Sequence, residues 1–275
     1  MPGKQQEQTR PVAIVTGASG GIGEATARAL HAAGYRVFGT WRRPPATNPP
    51  GVEALTCDVT SDESTKAAVA EVLRQAGRID LLVNNAGVGL LGGAEESSVA
   101  QAKALFDVNL FGVIRMTNAV LPILRRQGSG RIVNISSVLG LIPAPFMALY
   151  SATKHALEGY SESLDHEIRS AGIRVVLVEP AYTRTSFEGN VYQPDQQLEH
   201  YQAARATAEG VMRDAMTVAD SPELVAEAVV KASTAARPAR RYAAGKVARQ
   251  ISLLRRFVPE SAFDSSLRKQ MRLPA

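Results

Sequence analysis

Tyr150 and Lys154 stand four residues apart, at the start of a helix-compatible run that continues to about Ala171. Positions i and i+4 of a helix share one face, so the phenol and the ammonium can point into one site. A free phenol, with a pKa near ~10, is only about one-thousandth ionised at neutral pH. A nearby positive charge favours the phenolate, which would let Lys154 tune Tyr150 as a proton donor or acceptor. An amphipathic helix with a snorkelling lysine would carry the same spacing, so the pair acquires chemical meaning only from its surroundings.

The first surrounding element is a strand-to-helix junction. Val12–Val15 is a short apolar run, followed by Thr16-Gly17-Ala18-Ser19-Gly20-Gly21-Ile22-Gly23 and a helical stretch to about Ala33. Glycines there let backbone N–H groups approach a phosphate, and the helix N-terminus adds favourable partial charge. The ending lacks the Lys-Ser/Thr of a mononucleotide P-loop. The next strand, Arg36–Thr40, runs into Trp41-Arg42-Arg43, and no acid occurs between Glu24 and Glu53. A cofactor with a free ribose 2′-OH usually meets an acid in that interval. Two readings stand: Arg42 and Arg43 receive a 2′-phosphate, favouring NADP(H) over NAD(H), or they open a solvated, proline-rich loop.

Strand and helix continue to alternate: Glu53–Cys57, Ser61–Ala76, Ile79–Val83, a long helix over Ser98–Gln127 with a kink expected at Pro122, Arg131–Ile135, the Tyr150 helix, and Arg174–Val178. This predicts one α/β domain, a doubly wound (Rossmann-type) parallel sheet with helices on both faces. Ligands of such sheets bind outside the carboxyl ends of the strands. The glycine turn, Asn84, Ser137 and Thr183 all follow strands there. Asn109 lies within the long helix, where a buried amide needs partners.

Composition sets the bounds. The 275 residues are 45% hydrophobic and 21% charged, which is ordinary for a globular protein that buries a substantial core. Cys57 is the sole cysteine, so no intrachain disulfide forms and a reducing, cytoplasmic setting is expected. No run of eighteen or more apolar residues appears. His31, His155, His166 and His200 share no ligand spacing with Cys57 or with paired carboxylates, so no metal site is expected.

Taken together, these motifs make the sequence resemble the classical short-chain dehydrogenase/reductase family. Thr16-Gly-x-x-x-Gly21-x-Gly23, Asn84-Asn-Ala-Gly87, Ser137, Tyr150-x-x-x-Lys154 and the Pro180 segment occur in family order, with Ser137 thirteen positions before Tyr150. Val12 to Thr185 is covered closely and the similarity weakens towards Gly245; Gly87 to Phe187 is further similar to NADP-dependent reductases of steroids, retinoids and related lipophilic ketones. The resemblance implies an NADP(H)-dependent oxidoreductase of carbonyl or secondary alcohol groups. It makes Tyr150 the acid/base, Lys154 the holder of the nicotinamide ribose that also lowers the phenol pKa, and Ser137 a donor to the substrate oxygen. Asn109 would anchor a water extending the proton relay, and Leu139 would join Ser137 and Tyr150 against the substrate. Thr16, Gly17, Ser19, Gly21, Ile22 and Gly23 would form the cofactor turn, with Arg42 on the 2′-phosphate and Asp58 and Val59 on the adenine. Asn85, Ala86 and Gly87 would line the cofactor, and Pro180, Thr183 and Thr185 would lie near its carboxamide. Gly20, Ala181 and Thr183 depart from the family pattern at a phosphate partner and at the carboxamide contacts.

The same resemblance suggests a homodimer or homotetramer, through the long helix from Ser98 and the Tyr150 helix, with Leu157, Leu164 and Ile168 as apolar contact residues if they face outward. An alternative from a different class is an NADP-binding sensor or scaffold without turnover, for which loss of Ser137, Tyr150 or Lys154 would be the mark; all three are present. The chain divides into a disordered arm over 1–10, the dehydrogenase domain over 11–245 with a substrate-loop region at about 186–219, and a basic helical extension over 246–275. In the extension Val247, Ile251 and Leu254 fall on one helical face, with Lys246, Arg249, Arg255 and Arg256 around it. That pattern suits an anionic membrane surface, an acidic partner, or a helix covering its own domain. Nucleic-acid binding has no motif here.

Overall fold

The computed structural model describes residues 10–43, 45–185 and 190–273. Residues 1–9 of the expected arm and 186–189 of the substrate-loop region lie outside the described residues. The element order is β1 (Val12–Val15), α1 (Gly21–Ala32), β2 (Arg36–Trp41), β3 (Val52–Thr56), α2 (Asp62–Ala76), β4 (Leu81–Asn84) and a short β5 (Gly89–Leu90). Then come α3 (Val99–Phe106), α4 (Gly112–Gln127), β6 (Gly130–Ile135), α5 (Ala148–Ile168), β7 (Ile173–Pro180) and a short β8 (Val191–Tyr192). The chain closes with α6 (Gln202–Thr217), α7 (Pro222–Thr234), β9 (Arg241–Ala244), α8 (Lys246–Phe257) and α9 (Glu260–Gln270).

Seven strands form one parallel sheet in the order β3-β2-β1-β4-β6-β7-β9, and β5 pairs with β8 apart from it. Strand order reverses between β1 and β4, which opens a crevice at their carboxyl ends. The strands are buried on both faces. Within β1, Ala13 and Val15 pack with Ala27 and Leu30 of α1 and Val225 and Val229 of α7. Val12 and Ile14 pack on the opposite face with Val69 and Val72 of α2 and Met116 and Val120 of α4. This period-2 division of near-continuous apolar strands is what two helical layers require.

Local chemistry fixes the helix ends. At α2 the Ser61 hydroxyl accepts the Ser64 amide at 3.1 Å, and Gly77 closes the helix in the left-handed region with φ 72°. The expected long helix runs without a break over Val99–Gln127, with Pro122 inside α4. Between α3 and α4 its pairing widens into a π-helical turn over Asp107–Phe111. Its cause is tertiary. Asn109 accepts the Val88 amide at 2.9 Å and donates to the Val88 carbonyl at 2.9 Å and to Thr153 Oγ1 at 3.2 Å.

By length and mean hydropathy the 99–127 stretch could cross a membrane, but Met116, Val120 and Leu124 are fully buried against the sheet. The α5 residues expected at a subunit contact also differ from expectation. Leu157 and Leu164 are buried within this chain, the first with Val113 and Leu177 and the second against the sheet, because the apolar face of α5 is spent on its own domain. Val99 and Phe111 are the exposed apolar residues of that region.

Candidate active site

Four loops meet over the crevice, one after each of β1, β4, β6 and β7. They surround a cavity of about 390 Å3. Its walls include Gly17, Ser19, Gly21 and Ile22 from the glycine turn, Arg42 from the end of β2, Asp58 and Val59 after β3, and Asn85, Ala86 and Gly87 after β4. Ser137 and Leu139 follow β6, Tyr150 and Lys154 come from α5, and Pro180, Thr183 and Thr185 follow β7.

The glycine turn is held by side chains from the next loop. Asn85 donates its amide to the carbonyls of Thr16 at 3.0 Å and Gly17 at 3.1 Å. Thr16 Oγ1 accepts the backbone amides of Asn85 at 2.9 Å and Ala86 at 3.0 Å. The Thr16 hydroxyl is therefore spent on scaffold contacts, and Thr16, buried, does not reach the cavity as the resemblance implied. Gly23 is likewise behind the wall: a Cβ there would stand 2.1 Å from the Gly17 carbonyl oxygen. Its contribution is to let α1 begin immediately beneath the turn. Asn84 faces away from the cavity, donating to Asn134 Oδ1 at 2.9 Å within the buried core.

At the far end, Asp58 Oδ1 accepts the amide of Thr60 at 2.9 Å and its hydroxyl at 2.7 Å. These bonds hold the carboxyl below its usual range, and the guanidinium of Arg42 lowers it further. Arg42 is exposed at the rim. Arg43 is exposed but forms no part of the walls.

Ser137, Tyr150 and Lys154 converge as the sequence predicts. Leu139 donates its amide to Ser137 Oγ at 3.1 Å, and the Ser137 hydroxyl is hydrogen-bonded to the Tyr150 phenol. Lys154 is buried, donates to the Ile135 carbonyl at 2.9 Å, and places Nζ 5.7 Å from the centre of the Tyr150 ring. Burial pushes the phenol up to about 12, opposed by Ser137, and pushes Lys154 down to about 8, opposed by Glu158. The expectation that Lys154 lowers the phenol pKa does not describe this site: desolvation outweighs an ammonium that is itself desolvated and bonded to a carbonyl. A phenol so raised keeps its proton at neutral pH. Asn109 lies behind the cavity with its side-chain amide committed to Val88 and Thr153, so that side chain positions the π turn.

A charged cluster backs α5. Arg241 Nε lies 2.9 Å from Glu158 Oε2 and 3.2 Å from Glu179 Oε1, and its Nη2 lies 3.2 Å from Glu162 Oε2. Glu158 stands one turn beyond Lys154. Gly140 packs over it so closely that a Cβ would meet Glu158 Cγ and Ser136 Oγ at 2.9 Å.

The remaining walls come from Met147 and from the expected substrate-loop region at 186–219. Met147, Val191, Tyr192, Met212 and Met216 close the cavity from the side of α6. The segment is clamped by Glu96, fully buried, which accepts the amides of Gly93 and Leu198, each at 2.8 Å, and pairs with Arg205. Glu96 and Arg205 lie over a hundred positions apart, and no local pattern marks such a pair. Among the described residues no cluster of His, Cys, Asp and Glu could hold a metal ion. Cys57 is buried, as a packed core residue, with Sγ 3.9 Å from Met116 Sδ.

Comparison with known proteins places this geometry. The model of the short chain dehydrogenase family matches residues 11–196. A 3-ketodihydrosphingosine reductase of Bacteroides thetaiotaomicron is 41% identical over 179 residues, covering 65% of this chain and 66% of that protein. A short-chain dehydrogenase of Streptomyces avermitilis is 36% identical, with a TM-score of 0.79 over 96% of this chain and 95% of that one. Two further structures were solved with dinucleotides. One, from Burkholderia cenocepacia with NADP, is 27% identical at a TM-score of 0.75, covering 94% of this chain and 98% of that one. The other, from Burkholderia phymatum with NAD, is 26% identical at 0.73, covering 86% and 89%.

Proposed function

The chain belongs to the short-chain dehydrogenase family, and within it we propose an NADP(H)-dependent reductase of lipophilic ketones with Tyr150 as the proton donor. That it is an oxidoreductase using a nicotinamide cofactor follows from the family. The finer reading rests above all on the Ser137–Tyr150–Lys154 group at the wall of a largely apolar cavity.

The residues present fit the cofactor. Gly17 and Gly21 leave no side chain between the turn and the cavity, and a Cβ on Gly21 would press on Thr185 at 2.9 Å. The N-terminus of α1 offers amides to a pyrophosphate, Asp58 and Val59 would border the adenine, and Lys154 would hold the nicotinamide ribose. Arg42, at the end of a strand that carries no acid of its own, supports a 2′-phosphate and so NADP(H). The bound nicotinamide supplies the hydride. The protein has to orient the carbonyl and deliver one proton. The Ser137 hydroxyl accepts the Leu139 amide and bonds the Tyr150 phenol, and with a substrate between them it would turn its hydrogen to the oxygen gaining negative charge. Tyr150, protonated at neutral pH, donates to that oxygen, which favours the reductive direction.

The lipophilic substrate class is supported by the walls Leu139, Met147, Val191 and Met212, and by the relative named as a reductase of a sphingoid ketone. Self-assembly, common in the family, would use the face carrying Val99 and Phe111. The test is single-turnover hydride transfer by Tyr150→Phe on any ketone turned over with NADPH, with NADPH binding measured in parallel. Loss of the donor should slow transfer by roughly 10²–10⁴-fold with binding retained. A near-normal rate would mean that another group handles the proton.

A further inference from the structure

Helix α8 turns its apolar residues away from the domain it is attached to. Ala248 is its buried residue, whereas Val247 is 46% exposed, Leu253 59%, Leu254 50% and Phe257 71%. At 3.6 residues per turn these four fall within an arc of about 120°, and Ala248 stands roughly opposite its centre. The apolar arc has cationic borders. Arg249 and Arg256 lie along one edge and Arg255 beyond the other, past Ile251. The Arg256 guanidinium lies 5.5 Å from the Phe257 ring centre and that of Arg255 5.5 Å from the Phe263 ring of α9. No acid occurs within α8. Residues 246–272 hold seven basic and two acidic residues, an excess equal to the whole net charge of +5, so the rest of the chain is neutral.

We propose that this face of α8 docks on an anionic lipid surface. Val247, Leu253, Leu254 and Phe257 enter the boundary between headgroups and acyl chains, while Arg249, Arg255 and Arg256 meet the lipid phosphates. An exposed apolar ridge bordered by arginines matches what such a boundary offers, apolar contact below and negative charge at the rim. A second copy of the chain fits the face less well. A two-fold contact sets the same patch against itself, here bringing two segments of like charge together. The position of the helix gives docking a use. α8 packs against the turn over Val138–Gly140, which carries Leu139 of the cavity wall, so the docked helix brings that wall to the bilayer. The proposal stands on α8 itself and does not depend on the identity of the substrate or the cofactor.

The test is co-sedimentation of the full chain with vesicles of phosphatidylcholine alone and of equimolar phosphatidylcholine and phosphatidylglycerol. The protein should sediment with the mixed vesicles and stay in solution with the neutral ones. Arg255→Gln with Arg256→Gln should weaken binding about thirtyfold, at the contribution expected of two basic residues near an anionic surface. Leu253→Ser with Phe257→Ser, at two exposed positions, should leave thermal unfolding unchanged and also release the protein. Absence of the wild-type chain from the mixed-vesicle pellet would overturn the proposal. So would wild-type binding by the Leu253→Ser/Phe257→Ser protein, which would leave charge alone as the cause. Light scattering that shows the same double variant breaking an oligomer would assign the face to a second copy instead.

Discussion

Replacing Glu179 with glutamine should stabilise the protein increasingly as the pH rises. Glu179 is 1% exposed, and burial, followed by repulsion from Glu158, pushes its carboxyl from the usual 4.5 up to about 8 despite Arg241. Between those two values the folded protein keeps a proton that the unfolded chain has released. Raising the pH through that window therefore favours unfolding, and the penalty is complete above about pH 8. At about 1.4 kcal/mol per pH unit the interval sets a ceiling of about 5 kcal/mol. Glutamine removes the ionisation but brings amide hydrogens towards Arg241, which costs about 1–3 kcal/mol. The variant should thus be slightly less stable than wild type at about pH 5 and about 2–4 kcal/mol more stable at about pH 9. Urea unfolding followed by circular dichroism, on both proteins across that range, measures the difference directly. Titrating groups other than the neighbouring Glu158 are common to the two chains and cancel. A pH-independent offset would show that Arg241 keeps Glu179 ionised in the folded state, and the reasoning would fail.

Arg42→Ala should weaken NADPH binding about 10–100-fold, the worth of a charge-assisted hydrogen bond, and leave NADH binding unchanged. Equal losses for the two in fluorescence titrations would remove Arg42 from the 2′-phosphate. Gly23→Ala places a Cβ 2.1 Å from the Gly17 carbonyl oxygen, so thermal unfolding should report a loss of about 1–3 kcal/mol, and dinucleotide binding should fall with it. Unchanged stability would show that α1 can shift at no cost. The kcat/KM for ketone reduction should decline as the pH rises through about 8, where Lys154 gives up its proton. A flat profile to about pH 9 would mean that the ammonium form is not required.

The sheet and the meeting of Tyr150 with Lys154 were legible because their signals are local. Apolar runs such as Val12–Val15 and the i, i+4 spacing of Tyr150 and Lys154 determine a strand and a shared helix face without reference to the rest of the chain. Arg42 was legible for the same reason, as a departure at a fixed distance from the glycines. What escaped depends on partners remote in sequence. Nothing near Asn109 announces a π turn, since the cause is the backbone of Val88 and the hydroxyl of Thr153. Periodicity gave α5 an apolar face but could not tell whether Leu157 and Leu164 served the sheet or a second subunit. Thr16 fits a cofactor motif by type, while its hydroxyl is used up by Asn85 and Ala86. The upward shift of the Tyr150 phenol was not legible, because one charge was visible in the sequence and the burial was not.

The π turn between α3 and α4 makes that helix pair intolerant of a change in length. Five residues there span what an α-helix would cover with one fewer. Deleting one would restore ordinary pairing and leave α3 and α4 in phase, because the turn absorbs its extra residue. What would be lost is the widened turn that aims Asn109, whose amide would leave the Val88 backbone it ties down. Smoother local geometry would thus be gained only by freeing a wall of the crevice.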